Sequence, residues 1–257
     1  FSEYALGLAR VGCHVERYVL RQDNEFDLDD GFLPFLMERK PEVVFLCNPN
    51  NPTGRILPFD TLEKILEFCH QHHIRLFLDE CFLDLSDEGI SMKGYLKGYP
   101  ELCILKAFTK SYGMAGVRLG YCLCSDEELL EKMSRTVQPW NVSILAQAAG
   151  VAALSETQFL AKTKALIPVE RRWLKGELEA LGLWVCPSKA NYLLFYGEPE
   201  LHTTLKKHGI AIRNCDNYHG LSSGWYRIAV RLHEQNRQLI AAMKQVLRKE
   251  SSWQKTL

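Results

Sequence analysis

Three short strings hold the side chains of this sequence that can do chemistry together. The most reactive is Phe108-Thr109-Lys110-Ser111-Tyr112-Gly113-Met114-Ala115-Gly116-Val117-Arg118-Leu119-Gly120. A primary amine among small and apolar residues, with a guanidinium eight positions on between glycines, suits a nucleophilic lysine beside an anion-binding arginine. A merely solvated lysine is the plain alternative. In Leu76-Phe77-Leu78-Asp79-Glu80, an apolar run enters two carboxylates. An acid at the end of a buried strand is costly unless a cation or donor satisfies it, so Asp79 is either a helix cap or an anion held for a cationic ring nitrogen. In Asn48-Pro49-Asn50-Asn51-Pro52-Thr53-Gly54, two Asn-Pro steps and a glycine force a turn. A turn alone needs neither the further amides nor the threonine, and the Gly-Lys-Ser/Thr ending of a nucleotide-phosphate loop is absent.

These strings need a scaffold that brings strand ends together. Apolar runs at 43–47, 75–79, 103–107 and 120–124, with a helical stretch at 59–70 between the first two, predict an α/β layered sheet. Continuous apolarity predicts strands covered on both faces. Ligands of such sheets sit beyond the carboxyl ends of the strands, where all three strings fall. From 155 to 181 the apolar spacing is helical, with Pro168 expected to bend or divide the helix and Gly182 to stop it. Short strands at 184–186, 191–196, 210–213 and 226–231, with helices at 200–208 and 233–249, predict a smaller α+β domain. The expected organisation is a large domain over 1–154, a connecting helix over 155–182 and a small C-terminal domain over 183–257. Residue 1 is Phe and the first twenty residues read as the middle of a domain, so a missing N-terminal portion is expected.

Composition removes several classes of function. Lys+Arg and Asp+Glu are equal at 31 each in 257 residues, so the long-range positive field of a nucleic-acid or anionic-membrane binder is absent, and neither partner is expected. No apolar stretch approaches the roughly 20 residues that cross a bilayer, and a cytoplasmic protein is expected. Nine cysteines, mostly inside apolar or helical runs, read as reduced thiols acting as small hydrophobes. Cys122-x-Cys124 has no matching Cys/His pair nearby, and His70, His72 and His73 suit a helix end, so no metal site is expected.

In this order, at spacings of 28 residues from Asn51 to Asp79, 31 to Lys110 and 8 to Arg118, the three strings resemble the class I/II aminotransferases among the fold-type I pyridoxal-phosphate enzymes. Asn191-Tyr192 and the late Arg227 extend the resemblance over nearly the whole chain. It implies pyridoxal 5′-phosphate as cofactor, a mainly parallel sheet with helices on both faces, and a homodimer. Lys110 matches the lysine that carries the cofactor covalently and later moves protons at the substrate α-carbon. Asp79 matches the carboxylate paired with the pyridinium nitrogen, Asn51 the amide that donates to the ring's phenolic oxygen, and Arg118 a phosphate ligand. Arg227 matches the arginine that takes the substrate α-carboxylate with its planar fork. Phe82 stands where many relatives have a tyrosine donating to the phenolic oxygen. Ala107 stands where relatives often have a Ser or Thr phosphate ligand, a role left to Thr109. The family's glycine-containing phosphate loop and ring-stacking aromatic are expected upstream of residue 1.

Within the family, Ile212-Arg213-Asn214-Cys215-Asp216-Asn217-Tyr218-His219-Gly220-Leu221, followed by 225–231, resembles the threonine-phosphate decarboxylases of cobalamin synthesis and, less closely, the histidinol-phosphate aminotransferases. This implies a phosphorylated amino substrate contacted by Arg213 as well as Arg227, with a surface ion pair as the plain alternative for Arg213. A non-catalytic cofactor-binding module, as found fused to DNA-binding domains in regulators, is the alternative of another class. The neutral charge and the absence of an appended helix-turn-helix disfavour it.

Overall fold

A computed structural model describes residues 1–253. In chain order the helices are α1 (Ser2–Arg10), α2 (Phe32–Arg39), α3 (Phe59–Gln71), α4 (Phe108–Ser111), α5 (Glu127–Thr136), α6 (Ile144–Ser155), α7 (Thr157–Ala180), α8 (Leu201–Lys207) and α9 (His233–Trp253). The strands are β1 (Val43–Cys47), β2 (Arg75–Asp79), β3 (Leu102–Ala107), β4 (Gly120–Leu123), β5 (Trp184–Val185), β6 (Tyr192–Tyr196), β7 (Arg213–Asn214) and β8 (Trp225–Ala229). The chain forms two compact units, residues 28–50 with 56–164, and residues 1–27 with 51–55 and 165–257. Among the described residues no helix is long and apolar enough to cross a membrane.

The first unit is built on a sheet of order β1-β2-β3-β4, parallel across β1, β2 and β3 and antiparallel between β3 and β4. The register sets Cys47 beside Asp79 and Asp79 beside Leu105, so β1 and β2 end level and β3 continues to Ala107. β1 and β2 are joined by the longer helix α3, whose Leu62, Ile65, Leu66 and Cys69 are buried, and β3 and β4 by the single turn α4. The connection from β2 to β3 uses 3-10 turns at Leu83–Leu85 and Met92–Tyr95. Continuous apolarity overstates the cover: Leu76 and Leu78 are buried, whereas Phe77 is only half-buried and stacks on Phe45 with ring centroids 4.8 Å apart. Gly120 lies opposite Ala107, and a Cβ there would stand 2.9 Å from the Lys106 carbonyl oxygen, so the β3–β4 approach requires glycine. Three thiols also gather on this pair, with Cys103 Sγ 3.4 Å from Cys124 Sγ.

The second unit has an antiparallel sheet of order β5-β6-β8-β7. Leu193 and Phe195 of β6 and Tyr226 and Ile228 of β8 are buried with Leu174 and Leu178 of α7, Leu205 of α8, and Leu239 and Met243 of α9. On a second cluster Phe26 and Trp225 meet edge to face at 5.3 Å, with Cys186, Leu194 and Cys215. Helix α7 continues through Pro168 undivided. The lost backbone bond, costing about 3 kcal/mol, is offset by burial of Ile167, Leu174 and Leu178 along the same helix. The strand expected over 210–213 is confined to Arg213–Asn214. Ile210 and Ile212 serve packing instead, and the Ile210 N–H closes α8 by donating to Leu205 O at 3.1 Å.

All nine cysteines are free thiols. Burial pushes Cys69 and Cys186 up to about 12 and Cys215 up to about 11, so these three are protonated packing groups at neutral pH.

Gly54 and Gly182 separate two costs of a side chain at positive φ. Gly54 has φ +75°, and a Cβ would fall 2.0 Å from Ser188 Oγ; Gly182 has φ +80° and open space around it. In denaturant unfolding Gly54→Ala is expected to lose about 2 kcal/mol or more and Gly182→Ala only about 1 kcal/mol. Equal losses would mean that the contact with Ser188 carries no cost.

Candidate active site

In the first unit, four of the singled-out residues come to the carboxyl edge of the parallel strands. Asp79 ends β2, and its Oδ1 accepts from the Cys81 N–H at 2.9 Å. Burial, reinforced by the Asp79 carboxylate, drives the Cys81 thiol far above its ordinary range, so Cys81 stays protonated at neutral pH. The β1 end is fixed to β2 through Asn48, which is buried. Its N–H donates to Asp79 O at 2.9 Å, and its Oδ1 accepts from the Leu57 N–H at 2.9 Å. Both Asn-Pro peptide bonds that follow are cis.

Lys110 and Thr109 lie in α4, one helical turn that begins as β3 ends. Lys110 is exposed, with Nζ 5.3 Å from the centre of the Phe82 ring, a cation–π contact. Arg118 follows the 3-10 turn Ala115–Val117 in the left-handed region, φ 59°, and donates from Nη1 to Ala115 O at 2.9 Å. Among the described residues no carboxylate lies within ion-pair distance of Lys110 or Arg118. An exposed amine and guanidinium without counter-ions, on the edge that also presents Asp79, fit a ligand with a carbonyl, an anionic group and a basic ring nitrogen.

Behind Lys110 lies a buried charge cluster. Glu80 is fully buried, taking Ser91 Oγ at 2.6 Å, the Met92 N–H at 2.9 Å and Lys106 Nζ at 3.3 Å. Lys106 also reaches Asp84 Oδ1 at 2.9 Å, and the other Asp84 oxygen accepts from Ser111 Oγ at 3.0 Å. Burial alone would lower the Lys106 ammonium, but Asp84 and Glu80 outweigh it and hold it above its ordinary value.

In the second unit, Asn51, Arg213 and Arg227 form another group. Arg213 and Arg227 are direct partners on the antiparallel β7–β8 ladder. Arg213 Nη2 donates to Asn217 Oδ1 at 3.1 Å, and the Arg227 guanidinium carbon lies 5.3 Å over the Tyr192 ring. Arg227 Nη1 donates to Asn51 Oδ1, which also accepts from Tyr218 Oη at 3.3 Å. Two donors on one oxygen fix the amide's orientation and leave its NH2 end to donate elsewhere. Among the described residues no carboxylate lies within ion-pair distance of either arginine. Like charges directly opposed on a ladder are destabilising.

Four contributors were missed from the sequence. Lys106 is the single charge inside the run Leu102–Ala107, a legible signal. Tyr218 stood in a quoted motif without a role, whereas Asp84 and Ser111 carry no mark beyond proximity in sequence to Asp79 and Lys110.

Comparison with known proteins agrees with this geometry. The family model described as aminotransferase class I and II matches residues 1–243. The threonine-phosphate decarboxylase of Salmonella typhimurium is 37% identical over 96% of the chain and 69% of its own length. A histidinol-phosphate aminotransferase of Methanosarcina mazei is 32% identical over 95% of the chain and 64% of its own length. The chain thus spans about two thirds of these relatives. The crystal structure of the histidinol-phosphate aminotransferase from Clostridium acetobutylicum superposes with a TM-score of 0.90 at 26% identity, over 97% of this chain and 76% of that one. The chain belongs to the class I and II aminotransferases, enzymes of fold type I whose cofactor is pyridoxal 5′-phosphate.

Proposed function

We propose that the protein acts on a phosphorylated amino acid as a threonine-phosphate decarboxylase. The observation that carries this reading is the pair Arg213 and Arg227, register partners on one ladder with no carboxylate among the described residues within ion-pair distance of either. Two such groups suit a substrate with two anions, and leaving one unpaired in a closed site costs a few kcal/mol. Arg227 takes the α-carboxylate with its planar fork and Arg213 the distal phosphate. The 37% identity to a threonine-phosphate decarboxylase supports this assignment. Histidinol-phosphate amino transfer is the second reading, favoured by the 0.90 superposition. It uses the same arginines differently, since histidinol phosphate has no carboxylate. We assign the division of 1–154, 155–182 and 183–257 to a cofactor-binding domain, a connecting helix and a small domain, and the place of action to the cytoplasm.

The residues divide the chemistry as follows. Lys110 would hold the cofactor through its amine, and the same amine would carry the proton at the substrate α-carbon. Asp79 keeps the ring nitrogen protonated, Arg118 and Thr109 take the phosphate, and Phe82 lies against the lysine without donating to the ring oxygen. That donation falls to the Asn51 NH2 group, already aimed by Arg227 and Tyr218. When bound, the cofactor supplies an electron sink for the charge that develops at the substrate α-carbon. Which bond to that carbon breaks is decided by how the arginines turn the substrate relative to the ring.

A homodimer belongs to the same reading. Trp140 is 95% exposed, Ile144 and Leu145 79% each, and Val151 71%, an apolar patch larger than single scattered residues account for. Leu145→Glu is expected to shift the protein from dimer to monomer in sedimentation equilibrium; an unchanged mass would place the dimer contact elsewhere.

Lys110→Ala is expected to abolish borohydride-trapped cofactor on the protein, with trapping in the parent located at Lys110 by peptide mass spectrometry. Trapping at another lysine would refute the assignment.

The substrate is decided by carbon dioxide release from threonine phosphate, with and without 2-oxoglutarate. Release independent of the keto acid is expected, whereas amino transfer from histidinol phosphate with no carbon dioxide from threonine phosphate would overturn the decarboxylase reading. Arg213→Ala is expected to weaken threonine phosphate about 100-fold and threonine far less; equal weakening would remove Arg213 from the phosphate.

A further inference from the structure

We propose that Lys106 is a positioning residue for Lys110, acting through Asp84 and Ser111. The inference rests on the reading of Lys110 as the cofactor lysine and concerns what aims it. Strand β3 reads Leu-Cys-Ile-Leu-Lys-Ala, and Lys106 is only 8% exposed where an apolar side chain would pack without any charge to compensate. Buried ion pairs are poor stabilisers compared with apolar packing but good at fixing one geometry.

The geometry fixed here leads to Lys110. Helix α4 is one turn, with no side-chain cap at its start, and is held internally by weak bonds such as Tyr112 N to Phe108 O at 3.2 Å. A single turn does not hold itself in water, so its direction is set by external contacts. One is the backbone bond from Phe108 N to Leu119 O at 3.1 Å; another is Ser111, 5% exposed and next to Lys110, whose hydroxyl donates to Asp84. Asp84 is in turn held by Lys106, and Lys106 by Glu80, which Ser91 and Met92 grip from the far side. The segment from Asp79 to Asp84 therefore meets the lysine's helix twice, through Asp84 at Ser111 and through the Phe82 ring at the Lys110 ammonium. Displacement of the reacting amine by an ångström is enough to cost orders of magnitude in rate.

The test separates aiming from affinity and from folding. The unsubstituted protein, the parent of the variants, is first loaded with pyridoxal 5′-phosphate and reduced, and the labelled lysine identified. The rate of attachment is then measured for Ser111→Ala, Asp84→Asn, Lys106→Met and Lys106→Arg. Binding of pyridoxine 5′-phosphate, which has the ring and the phosphate but no aldehyde, is measured alongside. Ser111→Ala and Asp84→Asn are expected to slow attachment about tenfold or more while binding pyridoxine 5′-phosphate within twofold of the parent, with Lys106→Arg retaining most of the rate that Lys106→Met loses. If Lys106→Met does not fold, the other variants decide. Attachment within twofold of the parent in both Ser111→Ala and Asp84→Asn, even with lowered melting temperatures, would reduce the cluster to a structural role and overturn the proposal. Labelling of a lysine other than Lys110 in the parent would overturn the functional reading itself, a distinguishable result.

Discussion

Backbone hydrogen bonding in register across β1, β2 and β3 is the constraint from which the first unit follows. Cys47, Asp79 and Leu105 stand in one row, so the strings that leave these strands leave within two residues of the same level. Parallel pairing sends successive strands in one direction, and their ends accumulate on one edge. Antiparallel β4 starts opposite the last residue of β3, so Arg118, just before it, stays at the edge that Lys110 occupies. A one-residue slip of β2 against its neighbours would turn Asp79 to the opposite face of the sheet.

Charge is distributed unevenly between the buried and exposed parts of this edge. The buried part contains two carboxylates and one ammonium, satisfied by hydroxyl and backbone donors. The exposed part presents Lys110 and Arg118 without acids. The exposed cations thus have no acid beside them, while the largely buried Lys106 is paired twice. Removing Lys106 would leave the buried Glu80 carboxylate without a cation, which costs about 3–5 kcal/mol in comparable cases.

Much of the scaffold was legible because β1, β2 and α3 are each specified by local pattern: apolar runs for the strands, and a helical stripe of Leu62, Ile65, Leu66 and Cys69. Elements fixed by distant contacts were not. Ile210 and Ile212 look like strand residues but pack against the core from an irregular segment, and Pro168 is carried by a helix whose buried face outweighs one missing bond. Arg213 and Arg227 were singled out by the resemblance alone; that β7 and β8 set them opposite one another is fixed by ladder pairing, which nothing local in the sequence marks. Tyr218 and Asn51 lie 167 positions apart, and nothing local in either announces the hydrogen bond between them. Lys106 could have been found as a lone charge in an apolar strand; its partners Asp84 and Ser111 could not, since each is an ordinary polar residue near a turn.

The hydrogen bond from Arg227 to Asn51 joins the groups assigned to the substrate carboxylate and to the cofactor ring. On that assignment the two ligands are thermodynamically linked. A carboxylate on the fork of Arg227 draws on the same guanidinium that orients Asn51, so it alters how the amide meets the ring. Whatever factor the substrate imposes on the affinity for the cofactor, the cofactor must impose in return on the affinity for the substrate. On that assignment one shared donor couples two binding equilibria.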